Sequence, residues 1–228
     1  MTMIIVFAVL GLSAVILHYY IEKGSVASYH PLHKADAFQV RVACIGDSIT
    51  YGFGIEDWSS CNYPEVLQKL LGKGYCVNNF GYSSRTISTR GDFPYINEGL
   101  YRKSIEFDPD IVIIMLGTND SKPYNVEDSE QLKTDLNNLI KPYLEHDIYL
   151  ISLLPALEER FEISDVRIRE TIIPAIRGTA ESYSLNYIDL YSVFLNRRDL
   201  FVDGIHPNNK GAELIAQIVY ETIQNREV

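Results

Sequence analysis

Four short clusters rich in Gly, Asn, Asp, Ser and His interrupt the apolar runs of this chain: Gly46-Asp47-Ser48-Ile49-Thr50, Asn78-Asn79-Phe80-Gly81, Gly117-Thr118-Asn119-Asp120 and Asp203-Gly204-Ile205-His206-Pro207. Their residue types suit acyl transfer. A serine hydroxyl is a poor nucleophile until a neighbouring base takes its proton during attack. Imidazole titrates close enough to neutrality to be that base. Ser48 and His206 are the candidate pair. The imidazole also needs a fixed tautomer and a partner for its transient charge, and an aspartate accepting from the other ring nitrogen supplies both. Asp203 lies three residues before His206, with Gly204 giving the turn freedom and Pro207 restricting His206, so this pairing is expected to form locally.

The tetrahedral intermediate of such a reaction needs donors for its oxyanion. Three candidates stand in the clusters: the backbone N–H of Ser48, the backbone N–H of Gly81, and the side-chain amide of Asn119. At Gly81 the absent Cβ is expected to let an ester oxygen approach.

The elements that must position these residues read as alternating strands and helices. Val40–Ile45, Tyr75–Phe80, the unbroken apolar run Ile111–Leu116, Ile148–Leu154 and Tyr187–Leu190 read as strands. Helices are expected over Tyr63–Leu71 (Asn62 as N-cap, Gly72 as stop), over Ser129–Leu144 with an end or bend near Pro142, over Val166–Tyr183 with a kink at Pro174, and over Asn208–Gln224, while Asp108-Pro109 punctuates the chain after the segment around Tyr101 to Phe107. That alternation implies βαβ units and a parallel sheet covered on both faces. Such sheets hold their sites beyond the carboxyl ends of the strands. Three of the clusters end or follow strands, and the fourth precedes the last helix.

The four clusters, in this order, resemble the four signature blocks of the SGNH/GDSL hydrolase family, with Ser48, Gly81, Asn119 and His206 on the naming residues. The resemblance covers Val40 to the C-terminus. It implies an α/β fold, a three-layer α/β/α sandwich around a five-stranded parallel sheet of flavodoxin-like type, with Ser48, Asp203 and His206 as the catalytic triad. Two positions depart from the family pattern. Ile49 stands where the family name implies Leu, and Ser84-Arg85 follows Ser83 where a Gly often stands.

Other residues beside the clusters are candidate substrate contacts. Tyr51, Tyr82 and Tyr124 offer faces for sugar rings. Arg85 offers a partner for a substrate carboxylate, or merely covers the surface. Asp47 is a further candidate, its alternative being to bond loop amides, and the same structural reading applies to Asp120.

The hydrophobic share of 46% and the length of 228 residues suit one domain. Acidic residues outnumber basic ones, 30 to 20, which argues against a nucleic-acid partner. Residues 1–21 read as a signal peptide or membrane anchor, being apolar or small from Met3 to Leu17, with 22–37 as a linker and 38–228 as the hydrolase domain. Export to a periplasmic or extracellular location is the expectation, with membrane attachment through residues 3–21 if the segment is retained. The spacing of Cys44, Cys61 and Cys76 matches no zinc pattern, and no metal or organic cofactor is implied. Cys44 reads as a buried thiol, and Cys61 and Cys76 could pair in an exported protein.

These readings together point to a serine esterase working through an acyl-enzyme. The stretches Gly52-Phe53-Gly54-Ile55-Glu56-Asp57, Lys122-Pro123 and Leu154-Pro155-Ala156 resemble bacterial sialate and carbohydrate O-acetylesterases of that family. An O-acetyl group on a carbohydrate or glycan is therefore the expected substrate. The alternatives are a lysophospholipase or thioesterase taking medium acyl chains, and a glycan-binding protein on a decayed hydrolase scaffold.

Overall fold

The computed structural model describes residues 30–126 and 128–225. The apolar segment read as a signal peptide or anchor lies outside the described residues. Among the described residues no helix is long and apolar enough to cross a membrane.

Five strands form one parallel sheet: β1 (Val40–Gly46), β2 (Tyr75–Gly81), β3 (Ile111–Met115), β4 (Asp147–Ile151) and β5 (Asn186–Ile188). Their spatial order is β2-β1-β3-β4-β5. The main helices are α1 (Ser48–Tyr51), α2 (Tyr63–Leu71), α3 (Gly99–Glu106), α4 (Ser129–Ile140), α5 (Ile173–Tyr183) and α6 (Asn209–Gln224). All residues of β3 are buried, as its unbroken apolar run requires of a strand covered on both faces.

Alternate strand residues feed two separate cores. Ala43, Ile45, Val112 and Ile114 pack with Leu100 of α3, Leu136 of α4 and Ile176 of α5. Val42, Cys44, Ile113 and Met115 pack with Leu67 of α2 and Ile215 of α6. The chain travels from β1 to β2 under α2, then back past β1 to β3 under α3 on the other face. This change of face at the change of direction is what a single crossover hand demands. It also places β1 between two outward-winding halves, where sheets of this kind open a crevice.

Local chemistry sets the element ends. The Asn62 side chain accepts from Glu65 N–H to start α2, and Gly72, at φ 76°, ends it. Asn208 caps α6 by accepting from Gly211 N–H. Pro142 sits in a 3₁₀ turn, Lys141–Tyr143, which closes α4 earlier than Leu144. Pro174 has no N–H to donate, and the turn before it widens into a π-helical stretch, Ile168–Ile172, that absorbs the missing bond. Strand β4 is shorter than its apolar run, since Leu153 and Leu154 are buried without pairing. Leu190 begins a short helix capped by Asp189 instead of ending β5.

The described part of the expected linker, residues 30–37, has no helix or strand but is docked on the domain. His30 is buried, its Nε2 2.8 Å from the Tyr51 carbonyl, and the backbone of His33 exchanges hydrogen bonds with the Asn78 amide. Cys44, Cys61 and Cys76 are all unpaired. Cys44 is a buried thiol, as expected, and burial pushes its ionisation far up.

Candidate active site

Strand β1 delivers the chain to Gly46 at its carboxyl end, and Asp47 turns it directly into α1. The Asp47 carboxylate accepts from Ile49 N–H at 3.0 Å, capping that short helix. Ser48 is thereby fixed as the first helical residue. Its Oγ lies 3.0 Å from His206 Nε2 across 158 positions of sequence. Both residues are buried.

The other end of the imidazole is held locally, as the spacing predicts. His206 Nδ1 is 2.9 Å from Asp203 Oδ2, while Asp203 Oδ1 accepts the backbone N–H groups of His206 (2.8 Å) and Ile205 (3.0 Å). Gly204 makes the turn at φ 85°, a left-handed conformation in which a Cβ would also stand 2.7 Å from Glu158. Val202 N–H to the His206 carbonyl, at 2.9 Å, closes the turn from outside. Burial alone would raise the Asp203 carboxyl, but these donors outweigh it and hold the group at about 2. The carboxylate thus stays charged, and its geometry suits it to keep the proton of neutral His206 on Nδ1, leaving Nε2 free to accept from Ser48.

Gly81 does not play the expected part. Its N–H donates to Asn79 Oδ1 at 2.8 Å, and it does not line the cavity beside Ser48. The glycine is required for a different reason: a Cβ there would lie 2.3 Å from the Tyr51 backbone nitrogen, so it permits α1 to pass over the end of β2. Asn79 serves the same junction through its amide, which donates to the Thr50 carbonyl at 2.8 Å. The residue of this block that does face the cavity is Ser84. It sits at φ 69°, unusual for a residue with a side chain, and among the described residues no protein acceptor takes its N–H.

Asn119 follows β3 at the cavity, as expected. One amide hydrogen is anchored on the Arg85 carbonyl at 3.2 Å, which leaves the second available. Arg85 itself braces this loop. Its guanidinium donates to the Ser83 carbonyl (2.8 Å) and to Glu98 (2.9 Å), and stacks 3.5 Å above the Tyr82 ring. Asp120 ties the same loop to β3 by accepting Ile87 and Ser88 N–H; burial raises it to about 7 in spite of those donors.

The cavity over Ser48 has a volume of about 250 Å³, bounded by Phe53, Ser84, Asn119, Lys122, Phe161 and His206 among others. Of the candidate substrate contacts, Asp47 and Tyr51 are corrected outright, being 1% and 0% exposed and committed to the α1 junction. Tyr82 lies beneath Arg85, whose own guanidinium is engaged with Glu98 instead of a substrate carboxylate. Tyr124 is exposed but lines a neighbouring depression, with its hydroxyl donating to Glu162. Phe53, Ser84, Lys122 and Phe161 line the cavity but were not among the candidate site residues. For Ser84 the signal was present, in the side chain standing where the family often has glycine. Among the described residues no group of three or more His, Cys, Asp or Glu side chains is arranged to hold a metal ion.

Comparison with known proteins agrees with this architecture. Residues 44–214 match the GDSL-like lipase/acylhydrolase family. The chain is 42% identical over 216 residues to an acetylxylan esterase of Xylanibacter ruminicola, an alignment covering 85% of this chain and 45% of that protein. It is 24% identical to a multidomain esterase of Ruminococcus flavefaciens, covering 85% of this chain and 30% of that protein. The chain therefore spans half or less of the length of these curated relatives. Among solved structures, the native aryl esterase of M. smegmatis superposes with a TM-score of 0.67 at 20% identity, covering 81% of this chain and 98% of that one. With a family match over three quarters of its length, the chain belongs to the GDSL-like lipase/acylhydrolase family.

Proposed function

We propose that this chain is a serine esterase that removes O-acetyl groups from a carbohydrate. The observation that carries the reading is the continuous relay from Ser48 Oγ to His206 Nε2 (3.0 Å) and from His206 Nδ1 to Asp203 Oδ2 (2.9 Å). In the proposed reaction Ser48 Oγ attacks the acetyl carbonyl and its proton passes to His206 Nε2. The oxyanion that forms is met by the backbone N–H groups of Ser48 and Ser84 and by the free amide hydrogen of Asn119. His206 then gives the proton to the departing sugar oxygen, leaving an acetyl ester on Ser48. Water, deprotonated by the same imidazole, attacks that ester, and acetate leaves as Ser48 regains its proton.

Two observations support a short acyl group on a sugar. The cavity, about 250 Å³, suits an acetyl group with part of its alcohol better than a long acyl chain. The Xylanibacter relative, at 42% identity, is an acetylxylan esterase. An exported location fits a polymeric glycan substrate and the apolar stretch from Met3 to Leu17.

The test is acetate release from a panel of O-acetylated glycans, with fatty-acyl esters of rising length alongside, for the native chain and Ser48→Ala. Acetate release that vanishes in Ser48→Ala is the expected result. A preference for medium or long acyl chains would overturn the acetylesterase reading.

A further inference from the structure

We propose that Phe161, together with Phe53 on the same imidazole, forms a leaving-group subsite that stacks an uncharged sugar ring. The inference rests on the esterase reading above and adds the chemistry of the alcohol half of the ester. The imidazole must deliver its proton to the departing oxygen, so side chains packed around His206 at the cavity mouth flank the alcohol and not the acyl group. Two aromatic rings occupy that position. Phe53 lies 4.4 Å from the His206 ring and Phe161 lies 5.8 Å from it, edge-on at 67°. Both line the cavity that holds Ser48.

Phe161 is not placed there by core packing. It is 55% exposed, on the loop that leads from β4 towards α5. It sits at φ 53° and Glu162 follows at φ 61°, two successive side-chain-bearing residues in the left-handed region. The surroundings hold the loop in this shape. Leu157 N–H donates to the Gly204 carbonyl at 2.8 Å, Ile163 N–H returns to the Arg160 carbonyl at 2.9 Å, and the Tyr124 hydroxyl donates to Glu162 at 3.1 Å. A half-exposed aromatic in an unfavourable backbone conformation, held by neighbours at the mouth of the cavity over Ser48, is explained by a ligand with an apolar face. The C–H face of a pyranose ring is such a surface.

The charges around this mouth select against an anionic sugar. Glu158, Glu159 and Glu162 lie on the loop. Lys122, at the cavity wall, is paired with Asp92 at 3.5 Å, and Arg198 with Glu158 at 2.7 Å. Arg160 lines the adjoining depression and not the cavity over Ser48. A carboxylate-bearing sugar on Phe161 would therefore meet acidic neighbours and already paired cations.

The experiment compares kcat/KM of the full chain and of Phe161→Ala and Phe161→Trp on three acetyl esters: an acetylated neutral xylo-oligosaccharide, an O-acetylated sialic acid, and ethyl acetate, whose alcohol has no ring. The expected loss in Phe161→Ala is about tenfold greater on the oligosaccharide than on ethyl acetate, with Phe161→Trp restoring the difference. The native chain is expected to cleave the neutral sugar ester at least about tenfold faster than the sialic acid ester. Equal losses on the oligosaccharide and ethyl acetate, or none, would overturn the platform, and faster cleavage of the sialic acid ester would overturn the choice of an uncharged ring. If the native chain hydrolyses none of the three esters, the esterase reading itself falls, an outcome separate from either of these.

Discussion

The Asn119 amide donates to the Arg85 carbonyl at 3.2 Å, and the residue just before Arg85 is the one that backs the cavity with an unspent N–H. One stretch, Ser83 to Arg85, thus carries one proposed oxyanion donor and orients another. Arg85 fixes that stretch from the far side through Ser83 and Glu98. Arg85 is therefore a positioning residue, acting through Ser84 and Asn119.

This linkage is checked by steady-state kinetics. Asn119→Ala is expected to lower kcat by about 10²–10³, the usual cost of one oxyanion donor. Arg85→Ala should lower kcat with little change in KM, and adding it to Asn119→Ala should cost less than the sum of the two. A rise in KM with kcat unchanged would instead make Arg85 a substrate contact.

Gly81 and Ser84 should respond to substitution in opposite directions. Gly81→Ala places a methyl group 2.3 Å from the Tyr51 nitrogen and is expected to destabilise the protein by about 1–3 kcal/mol. Ser84→Gly relieves a side chain at φ 69° and is expected to stabilise it by about 1 kcal/mol. Chemical denaturation of both variants measures this. A Gly81→Ala protein as stable as the native chain would refute the packing account.

Ser48 and His206 act as one unit in the proposed reaction. Ser48→Ala and His206→Ala should each lower kcat by about 10⁴-fold or more, and the double variant should lose little beyond either single one. Losses that multiply would mean the two side chains contribute independently, contrary to their 3.0 Å contact.

Asp203, held at about 2, makes stability depend on pH in the acid range. Its folded value lies below the ordinary 3.8, so its contribution is complete above that value and is lost as pH falls towards 2. The shift corresponds to about 2 kcal/mol. Urea unfolding between pH 5 and pH 2 should show this loss in the native chain and a correspondingly smaller one in Asp203→Asn. Identical pH slopes would show that the carboxylate gains nothing from its donors.

The sequence by itself determined the order of the strands and of most helices, the identity of the Ser48, Asp203 and His206 group, and the local pairing of the last two. These are short-range properties: apolar periodicity sets each element, and a three-residue turn brings Asp203 to His206 wherever the turn sits. Tertiary structure decided which N–H groups remain unspent and which rings surround the imidazole. Whether Gly81 or Ser84 faces the cavity depends on where α1 crosses β2, a matter of distances near 2–3 Å between stretches thirty residues apart. Phe161 reaches His206 from a loop forty-five positions away, where periodicity carries no signal and only the packed shape brings the two together.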